Sequence, residues 1–121
     1  MQENSKGIKF YLDILNQMFE IEKKAGQVEE PNSIYRNINR LKEIFQSEIP
    51  NILGSSTGLA YVNPIGEDYN ETRTDCEANI AGTGTDNLKI TEVIKPIIYH
   101  HDGGIKRLVQ KGVVVVEEAK A

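Results

Sequence analysis

A proline and a glycine on either side of a diglycine turn constrain this chain more than any other feature. Residues 88–117 read LKITEVIKPIIYHHDGGIKRLVQKGVVVVE. Asp102-Gly103-Gly104 is the turn, because glycine reaches positive φ without a Cβ clash and can reverse the chain between two β-rich runs. The spacing predicts a strand over 97–101 leading in and another over 105–110 leading out. Pro96 has no amide hydrogen to give a central ladder, so the incoming run breaks or bulges there, and an earlier strand is predicted over 88–95. Gly112 interrupts the outgoing run in the same way. Beyond it, Val113-Val114-Val115-Val116 has no alternation, a pattern that suits a short strand buried on both faces. The stretch thus predicts four short strands folded as two stacked hairpin levels.

A chain of 121 residues can bury one modest core, as one domain or as a small β domain with a helical appendage. Its 14 Lys and Arg against 18 Asp and Glu give a net charge of −4, which offers no general attraction to nucleic acid or anionic membrane. Cys76 is the single cysteine and cannot form an internal disulfide. The opening MQENSKG has neither the basic nor the apolar region of a signal peptide, so a cytoplasmic location is expected. No apolar run approaches the roughly 20 residues of a membrane span.

Upstream, Lys9, Asp13, Asn16, Glu20 and Lys23 recur at steps of four and three, one narrow polar row on a helix over 8–25. Ile8, Tyr11, Leu12, Leu15, Met18 and Phe19 make an apolar face, which Phe10, Ile14 and Ile21 widen past half the circumference. A helix with so wide a face expects neighbours on more than one side. Gly26 reads as its C-terminal cap. Glu29-Glu30-Pro31-Asn32-Ser33 reads as a helix start, with acids and proline placed for a first turn. The second helix carries Ile34, Ile38, Leu41, Phe45, Ile49 and Ile52 on one stripe, and Pro50 ends or kinks it near Glu48.

Two helices joined by about five residues form an antiparallel hairpin, which cannot by itself cover the wide face of the first helix. Two such hairpins related by a two-fold axis would make a four-helix bundle around Leu15, Phe19, Ile38, Leu41 and Phe45. The alternative is that these faces pack on the β part of the same chain. Residues 54–58, Gly-Ser-Ser-Thr-Gly, read as a linker, dividing a helical hairpin for dimerisation (1–54) from a small β domain for partner docking (55–121). In that second part, 59–62 predicts a strand stopped by Asn63-Pro64, 65–75 a polar loop, 76–81 a further strand, and 82–87 a loop.

The side chains offer no catalytic constellation, and no metal or cofactor is expected. His100 and His101 are adjacent on a predicted strand, so they point to opposite faces and cannot easily share one ion. Gly82-x-Gly84 lacks the lysine of a phosphate loop. Cys76 reads as a small buried hydrophobe. Arg107 differs: it follows the turn on the face of Ile105 and Val109, with Lys106 on the other side. An arginine on an exposed sheet can anchor a partner through its planar set of donors. The plainer alternative is a solubilising edge charge.

Taken in order, a helical hairpin, a glycine-rich joint and a small β domain resemble GrpE, the nucleotide exchange factor of the DnaK heat-shock chaperone. The resemblance covers about residues 8–118. It is carried by Glu92-Val93-Ile94-Lys95 followed by Tyr99, by Asp102-Gly103-Gly104-Ile105-Lys106-Arg107, and by Lys111 through Val116. Gly66-Glu67-Asp68-Tyr69-Asn70 is similar to the family's Gly-x-x-Phe-Asp loop, and Glu77-Ala78 to its His-x-Ala segment. The resemblance implies a homodimer built on a four-helix bundle, an α+β protein whose β domain docks on the ATPase domain of a DnaK-type chaperone. Binding would favour the open nucleotide cleft and release ADP, with no bond made or broken, so no enzyme is implied. Arg107, with Ile105 and Lys106, would map to the chaperone contact, and Tyr69-Asn70 to another contacting edge. Family members carry a long helix before the bundle, and the chain is expected to be a shortened form without it. Cys76 or its neighbour stands where the family has a histidine, and Pro96-Ile97 where it has Lys-Gly. Two further classes of function compete: a GrpE-like adaptor that binds another protein through its β face without exchange activity, and a small metal or ligand-binding enzyme around His100, His101 and Cys76.

Overall fold

The computed structural model describes residues 2–45, 57–102 and 104–119. An N-terminal pair of helices precedes a small mixed β part, an α+β architecture. Two compact units are formed, one from Met1–Tyr61 with Tyr99–Arg107 and the other from Val62–Ile98 with Leu108–Ala121.

In the first unit, helix α1 (Gln2–Ala25) begins six residues before the predicted start at Ile8, since 8 − 2 = 6. Gln, Glu, Ser and Lys all tolerate a helix, and the one glycine among them costs only about 1 kcal/mol. The end of α1 also departs from expectation. Gly26 is not among the residues at positive φ, so no left-handed cap forms. Instead the turn tightens, with Gln27 N–H bonding to the Lys24 carbonyl at 3.0 Å and Val28 N–H to the Ala25 carbonyl at 3.2 Å. Helix α2 (Asn32–Glu43) starts after Pro31, and its first turn holds no acid. Glu29 and Glu30 therefore precede the helix rather than occupying its first turn. The chain passes through Ile44 and Phe45 in a wider π-type turn. The stop expected at Pro50, the stripe positions Ile49 and Ile52 and residues 54–56 of the expected linker lie outside the described residues, while its last two, Thr57 and Gly58, are not linker but the first residues of a strand.

Leu15, Met18, Phe19, Ala25, Ile38, Phe45 and Leu59 form the core of this unit. The Tyr11 and Phe45 rings meet edge to face at 5.9 Å, as do Phe19 and Tyr61 at 5.9 Å. The unit also holds a polar link. The Glu22 carboxylate accepts from Lys42 Nζ at 2.8 Å and from the Tyr61 hydroxyl at 3.1 Å, tying α1 to α2 and to β1 (Thr57–Val62). Burial and the Glu22 charge together hold the Tyr61 phenol well above its usual range.

The β part contains β2 (Asp68–Tyr69), β3 (Cys76–Ile80), β4 (Leu88–Lys95), β5 (Ile97–Asp102), β6 (Ile105–Gln110) and β7 (Gly112–Glu118). The incoming run breaks at Pro96, between β4 and β5, as expected, whereas the outgoing run breaks at Lys111, and Gly112 is already the first residue of β7. β4 pairs antiparallel with β7 in the sheet β2-β4-β7-β3, and β5 lies beside β6 in the sheet β1-β5-β6. Pro96 is buried, and its carbonyl accepts from Gln110 Nε2 at 2.9 Å. Gly112 is required by space: a Cβ there would lie 2.9 Å from Ile97 Cγ1 and 3.3 Å from Cys76 Sγ.

Two expectations are corrected in this sheet. The valine run is not buried on both faces: Val114 and Val116 are buried, whereas Val113 and Val115 are half-exposed. β7 lies between β4 and an adjacent parallel β3, but the second face of that sheet is only partly covered. The segment 65–75 is not wholly loop, because Asp68–Tyr69 pairs with Lys89 and Leu88. Backbone bonds from Gly66 to the Ile90 carbonyl and from Ile90 to the Glu67 carbonyl bring it alongside β4. An edge recruits a short strand here that its own polar composition does not announce.

Candidate functional site

The chain leaves its inner level at Lys95 and turns at Gly104, whose φ of +89° is the left-handed conformation a glycine supplies at no steric cost. β6 then runs along the edge of its sheet. Ile105, Lys106 and Arg107 all lie on this strand and all are exposed, Ile105 by 58 %. The Lys106 ammonium sits over the ring of Tyr99, 4.0 Å from its centroid, a cation–π contact across the hairpin. Successive strand residues face opposite ways, so Arg107 stands with Ile105 on the face turned away from that contact. Among the described residues Arg107 has no carboxylate within ion-pair distance.

Tyr69 and Asn70 belong to the other unit. Tyr69 is half-buried at the end of β2, opposite Leu88. The Asn70 side chain builds its own turn: its Oδ1 accepts from the Thr72 amide at 2.9 Å and from the Thr72 hydroxyl, and its backbone carbonyl accepts from Arg73 N–H at 3.1 Å. Beside it, Arg73 pins the loop. Its guanidinium donates to both Asp75 oxygens, at 2.6 and 3.3 Å, to Glu67 Oε1 at 2.8 Å and to the Asp68 carbonyl at 3.0 Å. The Arg73 bond holds the Asp75 carboxyl below its usual range. Burial, with the Asp75 charge adding to it, pushes the Cys76 thiol up to about 11, so it is a neutral, inert thiol at neutral pH.

Of the helical positions, Leu15, Phe19, Ile38 and Phe45 are buried within the chain itself, while Leu41 is 37 % exposed. Among the described side chains of α1, Phe10, Ile14 and Ile21 are the large apolar ones left open, one stripe at helical spacing. His100 is half-buried and His101 exposed, and among the described residues no three His, Cys, Asp or Glu side chains gather to hold a metal. No described helix is long and apolar enough to cross a membrane.

No family model, curated protein or solved structure matches the chain. Function therefore has to be argued from these residues. Sequence reasoning named Arg107 but passed over Tyr99 as a site residue, although Tyr99 and Lys106 stand at nearly equal distances from the turn and a hairpin register would have paired them. The Glu22–Tyr61–Lys42 link and the Arg73 clamp had no local signal, since each joins residues that are far apart in sequence or unremarkable in composition.

Proposed function

We propose that this chain is a GrpE-like co-chaperone, which docks on the ATPase domain of a DnaK-type chaperone and promotes ADP release by favouring the open nucleotide cleft. The observation that carries the reading is the β5–β6 hairpin: it is set off from β4 at Pro96 and from β7 at Lys111, and its edge strand presents Ile105 and Arg107 to solvent. Such a factor works only through its higher affinity for the open cleft, and by linkage nucleotide weakens its binding in return. The order of the motifs along residues 8–118 supports the assignment, and a cytoplasmic setting accords with it. The exposed stripe Phe10, Ile14 and Ile21 supports a homodimer, because a second copy would remove these side chains from water.

The test is the release rate of a fluorescent ADP analogue from a DnaK-type chaperone of the same source, with and without the full chain. A large, saturable acceleration is expected. Binding to the chaperone without acceleration would turn the reading to an adaptor, and no binding by a folded chain would end it.

A further inference from the structure

We infer that the outer edge of β3 is a docking edge for an extended segment of another protein, one that alternates apolar and basic residues and adds to the four-stranded sheet as a further strand. β3 ends the order β2-β4-β7-β3, so no described strand pairs with its second side. Its parallel ladder to β7 fixes which main-chain groups lie open. The Asp75 carbonyl accepts from Gly112 N–H at 2.9 Å, and Ala81 N–H donates to the Val116 carbonyl at 2.9 Å. With Cys76 opposite Gly112 and Ile80 opposite Val116, the alternation of a strand directs Asp75, Glu77, Asn79 and Ala81 toward β7. Cys76, Ala78 and Ile80 therefore turn their amides and carbonyls outward. An extended peptide satisfies such a row, because its own main chain repeats with the same period. The edge also lacks the usual guards: Cys76–Ile80 contains no proline, no lysine and no inward charge. By contrast β6, an edge of the other sheet, carries Lys106 and Arg107.

The side chains specify the occupant. Cys76, Ala78 and Ile80 share the face of the buried Val114 and Val116, and Ile80 at its open end is 49 % exposed. An apolar neighbour covers it. Glu77 and Asn79 share the other face with Val113 and Val115; both are exposed, and Glu77 forms no ion pair among the described residues. The charge of the surrounding unit has the sign of Glu77. That unit, Val62–Ile98 with Leu108–Ala121, holds nine acids against five Lys and Arg, which is the whole of the chain's −4, while the other unit holds nine of each. Basic side chains on the Glu77 face complement this surplus, whereas a second copy, as acidic as the first, does not. Nothing in this edge depends on the function proposed above.

The experiment titrates the full chain with a capped peptide of Lys-Val repeats and follows single amides by hydrogen exchange in nuclear magnetic resonance. At saturation the amides of Cys76, Ala78 and Ile80 should slow tenfold or more, while those of Glu77, Asn79 and Ala81, directed toward β7, keep their rates. One of two peptide versions, N-methylated on the valines or on the lysines, should bind at least tenfold more weakly, since a strand offers only alternate amides to one neighbour. A Glu-Val peptide should bind at least tenfold more weakly than Lys-Val, and Glu77→Lys should narrow that preference. Ala78→Pro removes an amide that the β7 ladder does not use, so it should keep the wild-type urea midpoint and lose the peptide. The N-methylated peptides leave the protein unaltered and decide the matter if that variant does not fold. Absence of Lys-Val binding at millimolar peptide, binding that leaves the three amides unprotected, or equal affinity of both methylated forms overturns the docking edge. Equal affinity for Glu-Val overturns the basic occupant. Protection of the same amides by raised protein concentration alone, with a doubled mass in sedimentation, overturns it in favour of a second copy.

Discussion

The inner and outer levels of the hairpin are built from neighbouring, similarly apolar stretches of one chain, yet they are put to opposite uses. In β4 and β7, Ile90, Val93, Val114 and Val116 are almost fully buried, and each strand has partners on both sides. In β6, four consecutive residues from Ile105 to Leu108 are exposed, and the strand has one neighbour. What separates the two is not local β propensity, which valine and isoleucine give to both. It is the path of the chain: after the break at Pro96 and the turn at Gly104 it runs as the edge strand β6, and after the break at Lys111 it returns as the central strand β7. A central strand stabilises; an edge strand is available to others, and must be guarded by charge when it is not so used.

The comparison is broken most forcefully from the inner side. Ile90→Ala removes a side chain that is 1 % exposed and leaves a cavity in the four-stranded sheet. A loss of about 3 kcal/mol is expected from urea unfolding, with docking by the surviving folded fraction unaltered. A loss below about 1 kcal/mol would mean that the inner level is not the structural one. The matching change on the outer level, Arg107→Ala, should weaken binding to a DnaK-type ATPase domain by about 2 kcal/mol and leave the melting temperature nearly unchanged. Equal affinity of variant and wild type by calorimetry would reduce Arg107 to a solubilising charge.

Gly112→Ala tests the joint between the levels. The added methyl meets Ile97 Cγ1 at 2.9 Å, and Ile97 is 1 % exposed with no room to yield. The expected cost is about 1–2 kcal/mol of overpacking, read as a lower urea midpoint at constant slope. Gly104→Ala, where nothing lies within 4 Å of the added Cβ, isolates the backbone term, because only its φ of +89° opposes the change. If Gly112→Ala were neutral, the joint would be set by the proline alone.

These breaks explain how much of the fold could be read in advance. Proline, glycine and a diglycine turn act locally, so their effects are legible residue by residue, and β4 through β7 follow from them. The helix termini were read less well. Acids before α2 and a glycine after α1 have the right composition for caps, but the chain used Pro31 and a tightened turn instead. The parallel pairing of β3 with β7 joins Cys76 to Gly112 and Ile80 to Val116, and no spacing rule links segments so far apart. The site shows the same limit. Arg107 was visible through its place after a turn, whereas the Tyr99 partner of Lys106 needed the register, and the burial of Phe19 against Tyr61 needed the tertiary fold.

The smallest expected effect tests the buried end of the inner level. Below a pH of about 9, the ordinary thiol value, Cys76 is protonated in both folded and unfolded chains and contributes no pH dependence. The fold raises its pKa to about 11, so between these values the unfolded chain releases a proton that the folded chain keeps. Protons are then bound more tightly by the native state, and its stability declines as pH rises through that window. Cys76→Ala should flatten this alkaline arm relative to wild type, at a small constant cost for the missing sulfur, with the shared tyrosine and lysine titrations cancelling in the difference. The same thiol should react with a disulfide reagent at pH 8 only as fast as the sheet opens. Rapid labelling of the native chain, or parallel alkaline arms for wild type and variant, would place Cys76 outside the core that Gly112 and Ile97 close around it.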